Sequence, residues 1–161
     1  MTEIVIGFSA PKSWMIGAEM IKFWMRTPYC HVYLRVYSNY TGQSLIYQAS
    51  HGMVHCLTAA NFFTANTAVA EFTVPISEDN LRNTLRFAQQ LLGQPYGYLG
   101  LIKLVLRKWF KGVKGDGNKS FHCSEFIAKL FPQFIENCPQ PDFIEPVHLY
   151  KVLESRYGAV K

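Results

Sequence analysis

The stretch that decides the fold is Ser120–Phe131, which reads SFHCSEFIAKLF. Its large apolar residues recur at helical spacing: Phe126, Ile127, Leu130 and Phe131. Because Pro132 follows directly, the pattern predicts a short buried helix that ends there. Cys123 falls in the first turn of this helix, and Ser120 is its predicted N-cap.

The position of Cys123 has two interpretations. Unpaired N–H groups and the positive end of the helix dipole favour a thiolate there, so the sequence predicts a lowered thiol pKa. A structural cysteine suits the same position, because free cysteines are among the most buried residue types. Residues elsewhere in the chain are needed to distinguish a reactive thiolate from a structural cysteine.

Size and composition predict one globular α+β domain covering residues 1–161. Hydrophobic residues make up 49% of the chain and charged residues 17%, which excludes a disordered protein. The formal net charge of +5 permits an anionic partner such as an envelope polymer, a membrane or a nucleic acid. The sequence has no aromatic and basic nucleic-acid motif, so no nucleic-acid partner is predicted.

The N-terminus and the cysteines bear on location and cofactors. Residues 1–8 lack a positive n-region and include Glu3, so no signal peptide is predicted and a cytoplasmic location is expected. The four cysteines are therefore expected to be free thiols. Without a C-x-x-C pair, neither a structural zinc site nor another cofactor is expected. The oligomeric state is left open.

The remaining pattern predicts a mostly antiparallel sheet with one early helix and several late ones. Alternation and turn residues predict strands at residues 3–8, 30–37, 45–50, 52–57 and 69–74. Ser13 is the predicted N-cap of a helix from Trp14 to about Met25, with Ile16, Met20 and Trp24 on one face. Ser77 begins an acid-started helix that stops before Gly93, and Pro146 begins a last helix ending at Tyr157.

Two segments before Cys123 each have two interpretations. The apolar and basic segment Leu101–Lys111 fits a membrane-surface helix, and it fits a core helix with lysines at its rim; a membrane role is not favoured. The loop Gly112–Lys119 carries three glycines and two lysines, and it fits a mobile lid or a plain exposed linker.

A cysteine nucleophile needs a base, usually an imidazole, and the base needs a partner that orients it. His31 stands at the start of a cleanly alternating strand, which makes it the candidate base. The side chain of His122 should project away from that of Cys123, although the two are neighbours. The remaining histidines are interpreted as surface or hydrogen-bonded residues: His51, His55 and His148.

The order of these features resembles a known family. A histidine strand, a hairpin, a helix ending at Gly93-Gln94-Pro95-Tyr96 and then His122-Cys123-Ser124-Glu125-Phe126 are similar to the circularly permuted NlpC-type papain-like hydrolases. That group includes YiiX-like and YaeF-like bacterial proteins and the lecithin:retinol acyltransferases. In it the histidine precedes the cysteine, as it does here. The resemblance implies a permuted papain-like fold in which Cys123 is the nucleophile and His31 the general base.

The resemblance also implies a third catalytic position on the strand after the base. Counting along the hairpin places Gln48 there, where the family more often has a histidine or an acid. A glutamine carbonyl can accept the imidazole N–H and fix the tautomer. Tyr29, Tyr33 and Tyr96 are candidates for lining the cleft, and each is equally interpretable as a core aromatic.

The function predicted from these residues is a cysteine hydrolase that cleaves an amide, of the cell-wall peptide type, through an acyl-enzyme. Lipid acyl hydrolysis or transfer at a membrane surface is the alternative within the same thiol chemistry. A catalytically silent binding module with the same fold is the alternative from another class. A cell-wall substrate suits a bacterial or phage protein, so a phage-encoded or virion-associated role stays open beside the cytoplasmic one.

Overall fold

The structure is a computed structural model that describes residues 2–95, 122–134 and 144–158. Its centre is a five-stranded antiparallel sheet with the strand order β4-β3-β2-β1-β5. The strands are β1 Thr2–Pro11, β2 His31–Ser38, β3 Gln43–Ser50, β4 Met53–Thr58 and β5 Asn66–Ile76. The predicted antiparallel α+β architecture is therefore confirmed for the described residues.

The helices occur mostly between and after the strands. They are α1 Ile16–Met25, α2 Ala59–Ala65, α3 Glu78–Leu91, α4 Cys123–Leu130 and α5 Pro146–Tyr157, with a 3-10 turn at Pro132–Phe134. Helix α4 packs mainly on β2 and β3, whereas α5 packs on β5 and on α4. The segment that carries Cys123 thus lies on the centre of the sheet.

The sheet separates two apolar clusters of unequal size. Val32, Leu34 and Val36 of β2 pack into the large cluster, which includes Phe126 and Ile127 of α4. Successive residues of a strand point to opposite faces, so His31 and Tyr33 belong to the other side. On that side Tyr33 packs with Ile46 and Phe62 in the smaller cluster beneath α2. The start of β2 therefore contributes side chains to both apolar clusters.

Two of the predicted helix boundaries are confirmed. The Ser77 hydroxyl caps α3 by accepting a hydrogen bond from the Asn80 N–H at 3.2 Å, and Glu78 and Asp79 occupy the first turn. This arrangement satisfies one of the unpaired N–H groups at the helix start. Helix α5 begins at Pro146, as predicted, because a first-turn proline needs no hydrogen-bond donor.

The prediction for α1 is wrong in two respects. The backbone N–H of Lys12 still donates to Ala65 O at 2.8 Å, which ties the chain beyond β1, and the helix begins only at Ile16. Met15 is its N-cap and makes no side-chain capping bond, so Ser13 does not cap it. Ile16 and Met20 are 62% and 66% exposed, so the predicted apolar stripe does not face the core.

Several predictions lie outside the described residues, namely those for Leu101–Lys111, Gly112–Lys119 and Tyr96. In the part of the chain that the structure does describe, none of the helices has the length and apolar character needed to cross a membrane.

Candidate active site

The site is built on the first residue of β2. His31 Nε2 lies 2.6 Å from Gln48 Oε1 on the neighbouring strand β3. Gln48 is buried, with 4% of its surface exposed, so water does not compete for this contact. Because a carbonyl oxygen only accepts, His31 Nε2 carries the proton and Nδ1 keeps a lone pair. The predicted contact between Gln48 and the His31 ring is therefore present.

Cys123 approaches the same strand from α4. It is the first residue of the helix and is 4% exposed. Its thiol interacts with the backbone N–H groups of Val32, Ser124 and Cys123 itself, all of which favour the thiolate. Val32 follows His31 directly, so the thiol sits beside the backbone at the beginning of β2.

The thiol pKa corrects one prediction from the sequence. Burial raises the pKa of Cys123 to about 11, because desolvation outweighs the backbone N–H groups that favour the thiolate. The helix cap also differs from the predicted one. His122 is the N-cap, and its Nδ1 accepts a hydrogen bond from the Glu125 N–H at 3.3 Å. Burial therefore keeps Cys123 as a neutral thiol, although the helix start favours the thiolate.

His31 is held neutral as well. Burial lowers its pKa to about 4; the hydrogen bond to Gln48 opposes this effect, and the nearby rings of His51 and His55 add to it. At neutral pH the two groups are thus a neutral imidazole and a neutral thiol.

The structure joins two of the three predicted site residues, His31 and Gln48, on one face of the sheet, and places Cys123 with α4 on the opposite face, beside Val32. His31 contacts Gln48 directly, and Cys123 lies against Val32. Among the described residues, the hydrogen bonds include none between the Cys123 thiol and the His31 ring. Catalytic contacts are often loose without substrate and tighten in the complex.

The rest of the α4 start is anchored by buried polar groups. The Ser124 hydroxyl donates to Ile144 O at 2.6 Å, which joins α4 to the segment before α5. Glu125 is 4% exposed, and its carboxylate oxygens lie 3.8 Å from His122 Nε2 and from Lys129 Nζ. These contacts hold the first turn of α4 in place.

The second cysteine near the site and two of the tyrosine candidates have environments that differ from that of Cys123. Cys30 is half-buried, and its thiol lies 3.9 Å from Ser9 O; burial, followed by the neighbouring Cys123 thiol, raises its pKa to about 11. Tyr29 and Tyr33 are core residues at 4% and 0% exposure, so neither lines an open cleft. The Tyr33 hydroxyl donates to Glu71 Oε1 at 2.7 Å on the far side of the sheet.

The sequence did not predict that His55 contacts this site. The Gln48 amide nitrogen donates to His55 Nε2 at 2.9 Å, so the amide joins two imidazoles. The register pairs Gln48 with His55 across β3 and β4, and the turn between them is centred on His51 and Gly52. A count outward from this turn places the two residues opposite each other, so the signal was present in the sequence.

The described His, Cys, Asp and Glu side chains do not form a metal site. Among them, no group of three or more His, Cys, Asp or Glu side chains comes close enough to hold an ion. The Nε2 atoms of His31 and His55 are both occupied by the Gln48 amide.

The chain is similar in structure to the metalloprotein YiiX of Escherichia coli O157:H7, known from a crystal structure. The TM-score is 0.57 at 15% sequence identity, and the match covers 98% of this chain and 82% of YiiX. At that identity the similarity concerns the fold alone. No protein-family model and no curated protein matches the sequence.

Proposed function

We propose that this protein is a thiol hydrolase with a permuted papain-like fold, in which Cys123 is the nucleophile, His31 the general base and Gln48 the residue that orients the base. The observation that carries the proposal is the 2.6 Å contact between His31 Nε2 and Gln48 Oε1. It fixes the proton on Nε2 and leaves Nδ1 as the basic atom. The position of the Cys123 thiol against Val32 adds support.

In the proposed reaction, His31 Nδ1 takes the proton of the Cys123 thiol as the sulfur attacks the substrate carbonyl. The C–S bond forms while the carbonyl electrons move to oxygen, and the backbone N–H of Cys123 at the helix start stabilises this oxyanion. Collapse of the intermediate breaks the bond to the leaving group, which receives the proton from His31. A water molecule deprotonated by His31 then hydrolyses the acyl-enzyme, which restores the thiol.

The pKa values support a concerted general-base step. With a thiol pKa of about 11 and an imidazole pKa of about 4, a preformed ion pair is unfavourable in the free protein. Removal of either group is expected to reduce turnover by about 10²-fold or more. Amide substrates of the cell-wall peptide type are our preferred class, because the family that the sequence resembles contains such enzymes.

A second candidate is lipid acyl hydrolysis or transfer, which the surface of α1 favours. Ile16, Met20 and Phe23 of α1, together with Trp14 just before it, are between 62% and 85% exposed, a large apolar area for one short segment. A comparison of hydrolysis rates for a dipeptide amide and for a short-chain phospholipid, below and above its micelle concentration, separates the two candidates.

The reaction type is tested with p-nitrophenyl acetate and mass spectrometry. We expect a burst of nitrophenol and an acetyl adduct on Cys123, and we expect Cys123→Ala and His31→Gln to lose both. Cys56→Ser is the matched control, because Cys56 is a half-buried thiol on β4 and should behave like the wild type. Unchanged turnover in folded Cys123→Ala would contradict the proposal, and absence of any turnover in the wild type would favour a silent module.

A further inference from the structure

Three side chains from adjacent strands form a continuous row across the sheet. His31 of β2, Gln48 of β3 and His55 of β4 are joined by contacts of 2.6 Å and 2.9 Å. The far end of the row is His55 Nδ1, which lies 3.3 Å from the backbone carbonyl of Met53. The near end is His31 Nδ1, for which no hydrogen bond occurs among the described residues.

The row has one orientation in which every contact pairs a donor with an acceptor. The Met53 carbonyl can only accept, so His55 Nδ1 must carry a proton and His55 Nε2 must be an acceptor. That acceptor receives the N–H of the Gln48 amide, which turns the Gln48 oxygen towards His31. The opposite amide orientation would put a proton on His55 Nε2 and set a lone pair of Nδ1 against the Met53 carbonyl.

We propose that His55 is a positioning residue that sets the orientation of the Gln48 amide and, through it, the nitrogen of His31 that carries the proton. The amide of Gln48 is buried, so a reversed amide could not exchange its partners for water. His55 does not touch the reacting atoms. This inference rests on the proposed function for its catalytic consequence, whereas the proton positions can be measured without any activity.

Replacements at position 55 test whether a hydrogen-bond acceptor there sets the orientation of the Gln48 amide. His55→Glu offers only acceptor atoms and should retain the wild-type amide orientation. His55→Lys offers only donors, so it should reverse the amide and move the His31 proton from Nε2 to Nδ1. His55 is half-buried on β4 at the sheet edge, so longer side chains can reach solvent. His55→Phe, which keeps a ring but removes the acceptor, should give a mixture of both His31 tautomers.

The experiment is side-chain ¹⁵N NMR of histidine-labelled protein, which identifies the protonated nitrogen of each neutral ring. His51→Lys is the control, because it adds the same charge at the neighbouring exposed turn without entering the row. We expect Nε2–H His31 in the wild type, His55→Glu and His51→Lys, and Nδ1–H His31 in His55→Lys. A wild-type His31 tautomer in folded His55→Lys and His55→Phe would overturn the inference.

Activity measurements on the same variants test the hydrolase function separately from the positioning role of His55. With p-nitrophenyl acetate, His55→Lys should lose about as much turnover as Gln48→Ala, whereas His55→Glu should stay within about threefold of the wild type. A tautomer shift in a protein that shows no Cys123-dependent turnover would contradict the hydrolase function and still support the positioning role of His55.

Discussion

Cys123 is buried and His31 is half-buried, and the uncharged form of each is favoured. The sequence predicts a thiolate at the start of α4, and the unpaired N–H groups that motivate this prediction are indeed there. Burial outweighs them, however, and raises the thiol pKa to about 11. The extent of burial depends on residues distant in sequence, so a local motif could not reveal it.

The reactivity of Cys123 should therefore increase with pH. We expect its alkylation by iodoacetamide to rise about tenfold per pH unit from pH 6 towards pH 10, because only the thiolate reacts and its fraction grows at this rate below the pKa. Mass spectrometry of quenched samples measures the rate for each cysteine. A rate that levels off below pH 7 would indicate a preformed thiolate and imidazolium pair.

His31 should make the folded state less stable in acid. Its folded pKa of about 4 lies below the ordinary value of 6.5, so between these values the unfolded chain binds a proton that the folded chain does not. The free energy of unfolding should then fall as the pH drops through this window, by up to about 1.4 kcal/mol per pH unit. Urea unfolding between pH 6.5 and pH 5 tests this slope.

Two variants make that measurement specific. His31→Gln removes the titrating ring and should flatten the dependence on pH, whereas His148→Gln changes an exposed histidine of α5 and should leave it as in the wild type. Equal slopes in His31→Gln and the wild type would mean that other groups cause the acid sensitivity.

At the scale of elements, local signals determine how much the sequence predicts. The cap at Ser77 and the first-turn proline at Pro146 are local signals, and both helix starts are confirmed. Helix α2 was missed, because its seven residues AANFFTA have no acidic first turn and no long apolar stripe. Its cap is Thr58, whose hydroxyl accepts from the Asn61 N–H at 3.3 Å.

The β1 strand contains a position that tolerates only glycine. Gly7 pairs with Tyr33 of β2, and a Cβ atom at position 7 would lie 2.1 Å from Tyr33 Cζ. Tyr33 is fully buried, and its hydroxyl is bonded to Glu71, so the ring cannot move aside easily. Gly7→Ala should lower the free energy of unfolding by roughly 1–3 kcal/mol, measured by urea titration.

Gly17 provides the matched control for this substitution. It lies in α1, and a Cβ atom there would have no neighbour within 4 Å. Gly17→Ala should therefore stabilise the protein by about 0.5–1 kcal/mol, because alanine favours the helix over the unfolded chain. Equal effects of the two substitutions would show that the contact with Tyr33 does not limit the strand.

At the scale of the molecule, the sheet and α5 share one aromatic cluster. The ring of Tyr150 lies 5.3 Å from both Phe8 and Tyr29 and 5.2 Å from Phe72, between ring centroids. Phe8 and Phe72 come from β1 and β5, so the last helix closes the core over the edge of the sheet. Long-range contacts of this kind cannot be derived from the sequence, although the sequence does predict a last helix from Pro146 to Tyr157.

Truncation of one α5 residue should therefore affect the whole fold. Leu149 is fully buried, and Leu149→Ala should cost about 2–5 kcal/mol of stability, because it removes packed atoms and leaves a cavity. Lys151→Ala changes an exposed residue of the same helix and should stay within about 0.5 kcal/mol of the wild type. Urea midpoints measure both; a similar midpoint for the two variants would mean that α5 contributes little to the core.

Strand β4, which pairs with β3, also pairs with a segment outside the sheet. The Val54 carbonyl accepts from the Gly93 N–H at 2.8 Å, and the Val54 N–H donates to Gln94 O at 2.9 Å. Met53 also forms a bridge with Pro95, which has no N–H of its own to offer. The turn after α3 thus occupies the backbone of the first two residues of the edge strand β4, so another chain cannot extend the sheet at that point.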